Sequence, residues 1–337
     1  MATSKTERRP ISARALYFVA PRRVELRELE LEFNSDTQTL VHSRLAGVSH
    51  GSELLYFRNQ MPQRLEGETI AALAGDAGYP VCYGYMNVGE TEHGRRVFAF
   101  QPHQDVFIAE QHQLLELPDS VSDEDAVLLP SVETALSVVQ DAAPVIGDVV
   151  AVFGQGVVGL LVAELLRRSG VSAVFAIDPI ASRRARAEEL GCIALAPTDR
   201  RLPTRIAELT ESRGVDIAIN TSAQESALQQ AIEITTTHGT VVEASWYGTQ
   251  PVSLRLGEAF HRRRITLKSS QVSRVDPVLA GRWSKHRRLE QAIALCIELT
   301  PGKYITHRYP LKRAQQAFEL LDTEPDRVLQ VIFDTKH

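Results

Sequence analysis

The sequence predicts an α/β fold in two parts, a partly open antiparallel β-barrel and a doubly wound parallel sheet. Three observations carry that prediction. Residues 1–122 read as short alternating strands and turns. A glycine-rich turn at residues 154–159 follows an apolar β-run and opens an apolar helical face. From there strands and helices alternate through six strands, the pattern of parallel βαβ units.

In chain order, residues 14–19, 24–31 and 39–45 have the period of half-buried strands, with strict alternation in the second. Residues 58–80 are poorly periodic and carry glycines, which predicts a long surface loop or lid with one short helix. The strand pattern resumes at residues 97–100 and 105–110. Ser122, with Asp125 three residues on, is a helix N-cap signal that opens the second part. There, strands are expected at 148–153, 173–177, 192–195, 215–220, 240–244 and 265–269, with helices between them. The tail adds helices at 287–299 and 311–321 and a strand at 328–333. A six-strand sheet is already complete without these, so they are expected to return to the first part. The resulting domains are 1–122 with 273–337, and 123–272.

The turn Gly154-Gln155-Gly156-Val157-Val158-Gly159 carries the chemistry. In this context the first glycine turns the chain out of the strand, the second lets backbone approach a pyrophosphate, and the third lets the helix pack closely. A diphosphate is expected on the helix N-terminus at Val157 and Val158, where N–H groups and the helix dipole favour an anion. The next β-run stops at Asp178, about twenty residues past the third glycine, where a ribose-binding acid is expected. A lone glycine trio reads equally as a turn with close packing. Strand, helix, second strand and terminal acid together point to a dinucleotide-binding Rossmann sheet. Asp178 would accept from a ribose 2′-hydroxyl and repel a 2′-phosphate, so NAD(H) is favoured and NADP(H) is the alternative.

The 337 residues, 44% hydrophobic, suffice for two domains with sizeable cores. Net charge −5 gives no basic field, so neither nucleic acid nor an anionic membrane is expected as a partner. Residues 1–9 lack an apolar segment, and the greasiest stretch, 149–166, is interrupted by Gln155, Glu164 and glycines. Neither a signal peptide nor a membrane span is expected. Cys82, Cys192 and Cys296 are too few and too scattered for a disulfide framework or a four-cysteine zinc site, which fits a reducing cytoplasm.

Across nearly its whole length the chain resembles the medium-chain dehydrogenase/reductase superfamily, the zinc alcohol dehydrogenase-like proteins. The resemblance is carried by Arg14-Ala15-Leu16, Val24-Glu25-Leu26, Gly47-Val48-Ser49-His50-Gly51-Ser52-Glu53, Gly94-Arg95-Arg96-Val97, Leu117-Pro118-Asp119, the glycine turn with Asp178, and Ser269-Ser270-Gln271. It implies a GroES-like barrel domain, a Rossmann domain, a cleft between them, and hydride transfer to or from a nicotinamide. Trp246-Tyr247-Gly248 and the tail are most similar to the bacteriochlorophyllide dehydrogenase-like branch, which hints at a bulky secondary alcohol or ketone.

The zinc chemistry of the superfamily does not carry over. Where zinc members have a ligating cysteine, this chain has His50. The Gly-His-Glu motif that supplies the second ligand is matched by Gly84-Tyr85-Met86, and the third ligand position falls near Pro130. A catalytic zinc takes three protein ligands and an open position, so no metal ligands are assigned. The cysteine-rich structural zinc lobe is missing as well.

Without a metal, a carbonyl or alkoxide oxygen needs a proton donor and acceptor from side chains. His50, Ser52 and Tyr85 are the catalytic candidates. His50 is the sharpest of the three, because an imidazole can exchange protons near working pH and this one stands at the first ligand position; the competing account is a hydrogen-bonded turn histidine. Ser52 matches the hydroxyl of the superfamily's proton relay and is equally a turn-capping serine. Tyr85 could donate its phenol, or be a half-buried aromatic with a wet tip. Glu53 and Glu133 are weaker, since Glu133 reads as an acid complementing the dipole in a helix first turn.

For the cofactor, Gly154, Gly156, Val157, Val158, Gly159 and Asp178 are expected as contacts. The resemblance adds Thr134 against the nicotinamide and Ser270 past its carboxamide. Ala244, Ser245 and Trp246 end a strand at the carboxyl edge, where open α/β sheets bind ligands. Arg183 follows Asp178 closely and would grip a phosphate, against the account of a solvated basic face. The favoured function is a zinc-independent NAD(P)-dependent oxidoreductase acting on a secondary alcohol or ketone. Reduction of activated C=C bonds or quinones, and nucleotide binding without catalysis, are the alternatives. The expected partners are a small-molecule substrate and a second copy of the chain, joined as a two-fold homodimer across the last apolar strand.

Overall fold

The computed structural model describes residues 10–63, 78–197 and 201–336, and they form two units: residues 1–129 with 296–337, and residues 130–295. Most of the loop expected at 58–80 lies outside the described residues.

The first unit begins with β1 (Ile11–Ala20), β2 (Arg23–Leu31) and β3 (Gln38–Gly47), where the alternation predicted strands. A short helix α1 (His50–Phe57) follows, then β4 (Val81–Cys82), β5 (Asn87–Thr91), β6 (Arg96–Ala99), β7 (Val106–Glu110) and β8 (Leu115–Glu116). Helix α2 (Asp123–Ala126) is capped by Ser122, whose hydroxyl accepts the Asp125 N–H at 3.0 Å, as its spacing predicted.

Helix α3 (Leu129–Ala142) leads into the second unit. There β9 (Val149–Phe153), α4 (Val157–Arg168), β10 (Ala173–Ile177), α5 (Ala181–Glu189), β11 (Ile193–Leu195) and α6 (Leu202–Leu209) alternate. The pattern continues through β12 (Val215–Asn220), α7 (Glu225–Ile234), β13 (Thr235–Glu243) and β14 (Thr266–Ser269). After α8 (Lys285–Leu299), the chain closes with β15 (His307–Pro310), α9 (Ala314–Thr323) and β16 (Val331–Asp334) in the first unit.

In the first unit, β2-β1-β4 form one sheet and β15-β16-β3-β5-β6-β8 another, with β7 paired to β3. All these pairs are antiparallel except β15 with β16. The sheets are tied where the Leu16 N–H donates to the His103 carbonyl at 2.9 Å and the Asp105 N–H to that of Arg14 at 3.0 Å. Phe18, Tyr56, Phe57, Phe318 and Phe333 fill the core against α1 and α9, with Phe18 edge-on to Phe318 at 5.2 Å.

The second unit holds the six-stranded sheet in the order β11-β10-β9-β12-β13-β14, parallel throughout. Every residue of β9 is buried, as a central parallel strand with both faces covered requires. The resulting α/β architecture is a GroES-like barrel unit and a Rossmann unit.

The chain leaves the Rossmann unit at 295/296, within α8, rather than at the expected 273. Arg288, fully buried on α8, is bonded back into that unit. Its Nε lies 3.1 Å from Glu133, its Nη1 donates to the Ser137 hydroxyl and the Arg274 carbonyl, and its Nη2 to the Val272 carbonyl. Glu133 is therefore not a surface acid complementing a helix dipole. It is a buried partner of Arg288, its carboxyl pushed up by desolvation and drawn back down by the guanidinium.

Candidate active site

The strand–turn–helix geometry of the Rossmann unit explains each glycine. Gly154 has φ +88, open to residues without a side chain, and a Cβ there would meet Ser222 at 3.0 Å. A Cβ on Gly159 would stand 1.8 Å from the Gly154 carbonyl oxygen, so only glycine lets α4 sit against the turn. A Cβ on Gly156, by contrast, would meet nothing within 4 Å. The middle glycine thus keeps space clear at the N-cap of α4, where Val157 and Val158 begin the helix.

Asp178 follows β10 and is 2% exposed. Its Oδ2 accepts the Gln155 N–H at 2.6 Å and its Oδ1 the Ile180 N–H at 2.8 Å, which locks the glycine turn to the second strand. A carboxylate offers about four acceptor positions, so two bonds leave capacity for a ribose hydroxyl. The Arg183 guanidinium is 4.0 Å from Asp178 and largely buried, so this residue does not lie on the solvated face its neighbours suggested. Arg184 donates to the carbonyls of Asp178 and Pro179 at 2.8 Å.

At the carboxyl edge, Ala244, Ser245 and Trp246 lie just past β13, with Trp246 39% exposed. The Ser245 hydroxyl accepts the Ala223 N–H at 2.9 Å. Glu243 gathers the Ser245 N–H, the Asn220 amide and the Tyr247 hydroxyl at 2.7–3.0 Å. Burial and that carboxylate push the Tyr247 phenol up, so it stays protonated. Ser270 donates through Oγ to Asp141 at 2.5 Å and through its N–H to the Glu243 carbonyl at 2.8 Å. The Thr134 hydroxyl donates to the Pro130 carbonyl at 2.8 Å, one turn back in α3. A cleared helix N-terminus, a buried acid after the second strand and polar groups past the strand ends fit a dinucleotide.

In the barrel unit, the structure brings Tyr85 together with two serines. Its hydroxyl is hydrogen-bonded to the Ser49 hydroxyl and lies 3.3 Å from that of Ser52. Ser49 is the N-cap of α1, and His50, partly buried, is its first residue. Beneath them Glu53 accepts the Ser49 N–H through Oε1 at 2.7 Å, and its Oε2 is 2.6 Å from His103 Nε2. Both members of that pair are wholly buried. Gly84, at φ +143, leaves room for the imidazole: a Cβ there would lie 3.0 Å from His103 Cδ2 and Nε2.

Ser49 and His103 were not among the residues singled out in the sequence. A serine before a helix reads as an ordinary cap, and His103 sits alone between strands with no spaced partner. The available signal for Glu53 was only its place in the Ser-His-Gly-Ser-Glu run.

These donors do not fit a catalytic zinc. His50 contributes one imidazole, the Tyr85 phenol is bonded to serine, and Pro130 has no donor side chain. Among the described residues, no three His, Cys, Asp or Glu side chains converge as a metal site. Nor is any described helix long and apolar enough to cross a membrane.

Comparison with known proteins agrees with the fold. Residues 157–292 match the family described as zinc-binding dehydrogenase. D-guloside 3-dehydrogenase of Escherichia coli (strain K12) is 26% identical over 314 residues, covering 86% of this chain and 89% of that protein. Among solved structures, a protein described as a short chain alcohol dehydrogenase (rspB) of E. coli CFT073, complexed with NADH, superposes with TM-score 0.78 at 18% identity, covering 96% of this chain and 99% of that one. A zinc-binding dehydrogenase of Sinorhizobium meliloti 1021 bound to NADP gives TM-score 0.76 at 17% identity, with 96% and 100% covered. The chain is thus similar to dehydrogenases over most of its length and shares the fold of these solved structures.

Proposed function

We propose that the protein is a zinc-independent oxidoreductase that moves a hydride between NAD(H) and a secondary alcohol or ketone. The observation that carries this reading is the Tyr85 hydroxyl, bonded to Ser49 and near Ser52 in the region where superfamily members hold zinc. The E. coli relative named a guloside 3-dehydrogenase lends support to a hydroxyl-bearing substrate.

The bound nicotinamide supplies or accepts the hydride. The chain must then handle the proton on the substrate oxygen. Tyr85 can give or take that proton at its phenol oxygen, with Ser49 and Ser52 sharing the charge that develops there. His50, at the head of α1, is the second candidate for exchanging the proton with solvent. A positioned acid–base group of this kind contributes about 10² to 10⁴ in rate, roughly 3 to 5 kcal/mol.

In the Rossmann unit, Gly154, Gly156, Gly159 and the α4 N-terminus would hold the diphosphate, Asp178 the adenosine ribose, and Thr134, Ala244, Ser245, Trp246 and Ser270 the nicotinamide end. NAD(H) is preferred because a 2′-phosphate would meet the buried Asp178 carboxylate. Arg183, close to that carboxylate, is the residue through which NADP(H) would bind instead. We extend the reading to a homodimer: β14 ends the sheet, with Thr266, Leu267 and Ser269 exposed, and such an edge is usually paired or covered.

Comparing Tyr85→Phe with His50→Ala in turnover on a panel of secondary alcohols and ketones, with NADH affinity measured alongside, tests the reading. A large loss of turnover in Tyr85→Phe at unchanged NADH affinity is expected. Full turnover in that variant would remove the phenol from the mechanism.

A further inference from the structure

The buried Glu53–His103 pair is not used by the proton chemistry or the cofactor contacts, yet it holds Ser49, one of the two serines that meet Tyr85. A serine at a helix N-cap ordinarily turns its hydroxyl to an N–H of the first turn. Ser49 has the extended backbone of a cap, φ −86 and ψ 95, but its side chain makes no cap bond. The hydroxyl is diverted to Tyr85.

What holds Ser49 is its own N–H, which donates to Glu53 Oε1 at 2.7 Å. Glu53 reaches back across the first turn much as the acid of a capping box does, while the serine half of that exchange is missing. The other carboxylate oxygen is engaged by His103 Nε2 at 2.6 Å, so the carboxylate cannot rotate without breaking a buried bond. His103 is itself fixed. Its ring stands edge-on to Phe333 at 5.1 Å and against Gly84, and its carbonyl takes the Leu16 N–H. Its Nδ1 is buried with no hydrogen-bond partner among the described residues, so Glu53 is the polar contact that orients the ring.

An apolar ring at 103 would fill the same space without an unsatisfied nitrogen, which makes an imidazole here a feature that calls for a role.

We propose that Glu53 and His103 are positioning residues: they grip Ser49 by its backbone so that its hydroxyl serves Tyr85 instead of capping α1. This deepens the proposed function and rests on Tyr85 being the proton group. Its geometric part stands without that reading.

The test uses the full-length protein and two substitutions. His103→Phe keeps ring volume and the contact with Phe333 but removes the donor; His103→Gln retains an N–H for Glu53. Crystal structures of both, NADH affinity, and NAD⁺-dependent turnover of 2,3-butanediol or another secondary alcohol oxidised by the wild type are compared. In His103→Phe the Ser49 hydroxyl should leave Tyr85 for the N–H groups of the first turn. Its kcat should fall at least tenfold at unchanged NADH affinity, and His103→Gln should restore most of both.

A Ser49–Tyr85 bond that persists in His103→Phe overturns the proposal. So does a broken bond with kcat within threefold of wild type, because the pair would then be purely structural. If His103→Phe does not fold, Glu53→Gln and Glu53→Ala carry the test. The amide keeps an acceptor for Ser49 and should preserve the contact, alanine should lose it, and an unmoved Ser49 in both refutes the inference. Should the wild type oxidise no alcohol while Ser49 still moves in the variants, the positioning stands and the proposed function fails.

Discussion

The three glycines of the 154–159 turn make separable predictions, because the structure gives their missing side chains different surroundings. Gly156→Ala adds a methyl group where nothing lies within 4 Å, so the folded apoprotein should tolerate it. Gly159→Ala adds the same group 1.8 Å from the Gly154 carbonyl oxygen, well inside contact distance, so the turn and α4 must move apart. Overpacking of this kind costs about 1–3 kcal/mol. At roughly 2–4 °C per kcal/mol for a unit of this size, Gly159→Ala should lower Tm by about 2–12 °C. Gly156→Ala should leave Tm of the apoprotein within about a degree, yet weaken NADH by tenfold or more, about 1.4 kcal/mol, because its open space is where the diphosphate is to approach. Thermal melts with and without NADH, and a fluorescence titration of NADH, read both quantities. If Gly156→Ala binds NADH like the wild type, or melts as early as Gly159→Ala, the assignment of that space to the diphosphate is refuted.

Three further outcomes follow from the same geometry. NADH should bind more tightly than NADPH; Asp178→Ala should narrow that gap and lower Tm, since it strips the acceptor from two backbone N–H groups, and tighter NADPH binding by the wild type would shift the contact to Arg183. Elemental analysis should find well under one tightly held zinc per chain, and chelators should leave activity intact; stoichiometric zinc would overturn the donor-set argument. Light scattering at micromolar concentration should give a dimer mass, and a monomer would rule out pairing through β14.

What the sequence disclosed, and what it did not, divides along contact range. The Rossmann turn was legible because glycine spacing, flanking apolar runs and Asp178 all act within a short stretch of chain. The alternation in β2 was likewise local. By contrast, β5 was missed. Its Asn87 and Gly89 look like turn residues, but Gly89 is there because a Cβ would stand 2.6 Å from the His42 carbonyl oxygen across the sheet. Glu133 was misread for a reason of the opposite kind. The partner that buries Glu133 is Arg288, 155 residues away, and no periodicity announces it. Glu53 and His103 are separated by 50 residues in the same way. Ser49 was hidden by its own location, since a serine at a helix start has an ordinary explanation that the structure removes.

The central claim is that Tyr85, not a metal, handles the proton at the substrate oxygen. Its most direct measurement is kcat of Tyr85→Phe against the wild type, both treated with chelator, on the best secondary alcohol of a panel with NAD⁺. The phenol's contribution predicts a fall of about 10² to 10⁴-fold with NADH affinity unchanged. A Tyr85→Phe enzyme that turns over within threefold of the wild type, or a wild type that loses its activity to the chelator and regains it with zinc, would contradict it.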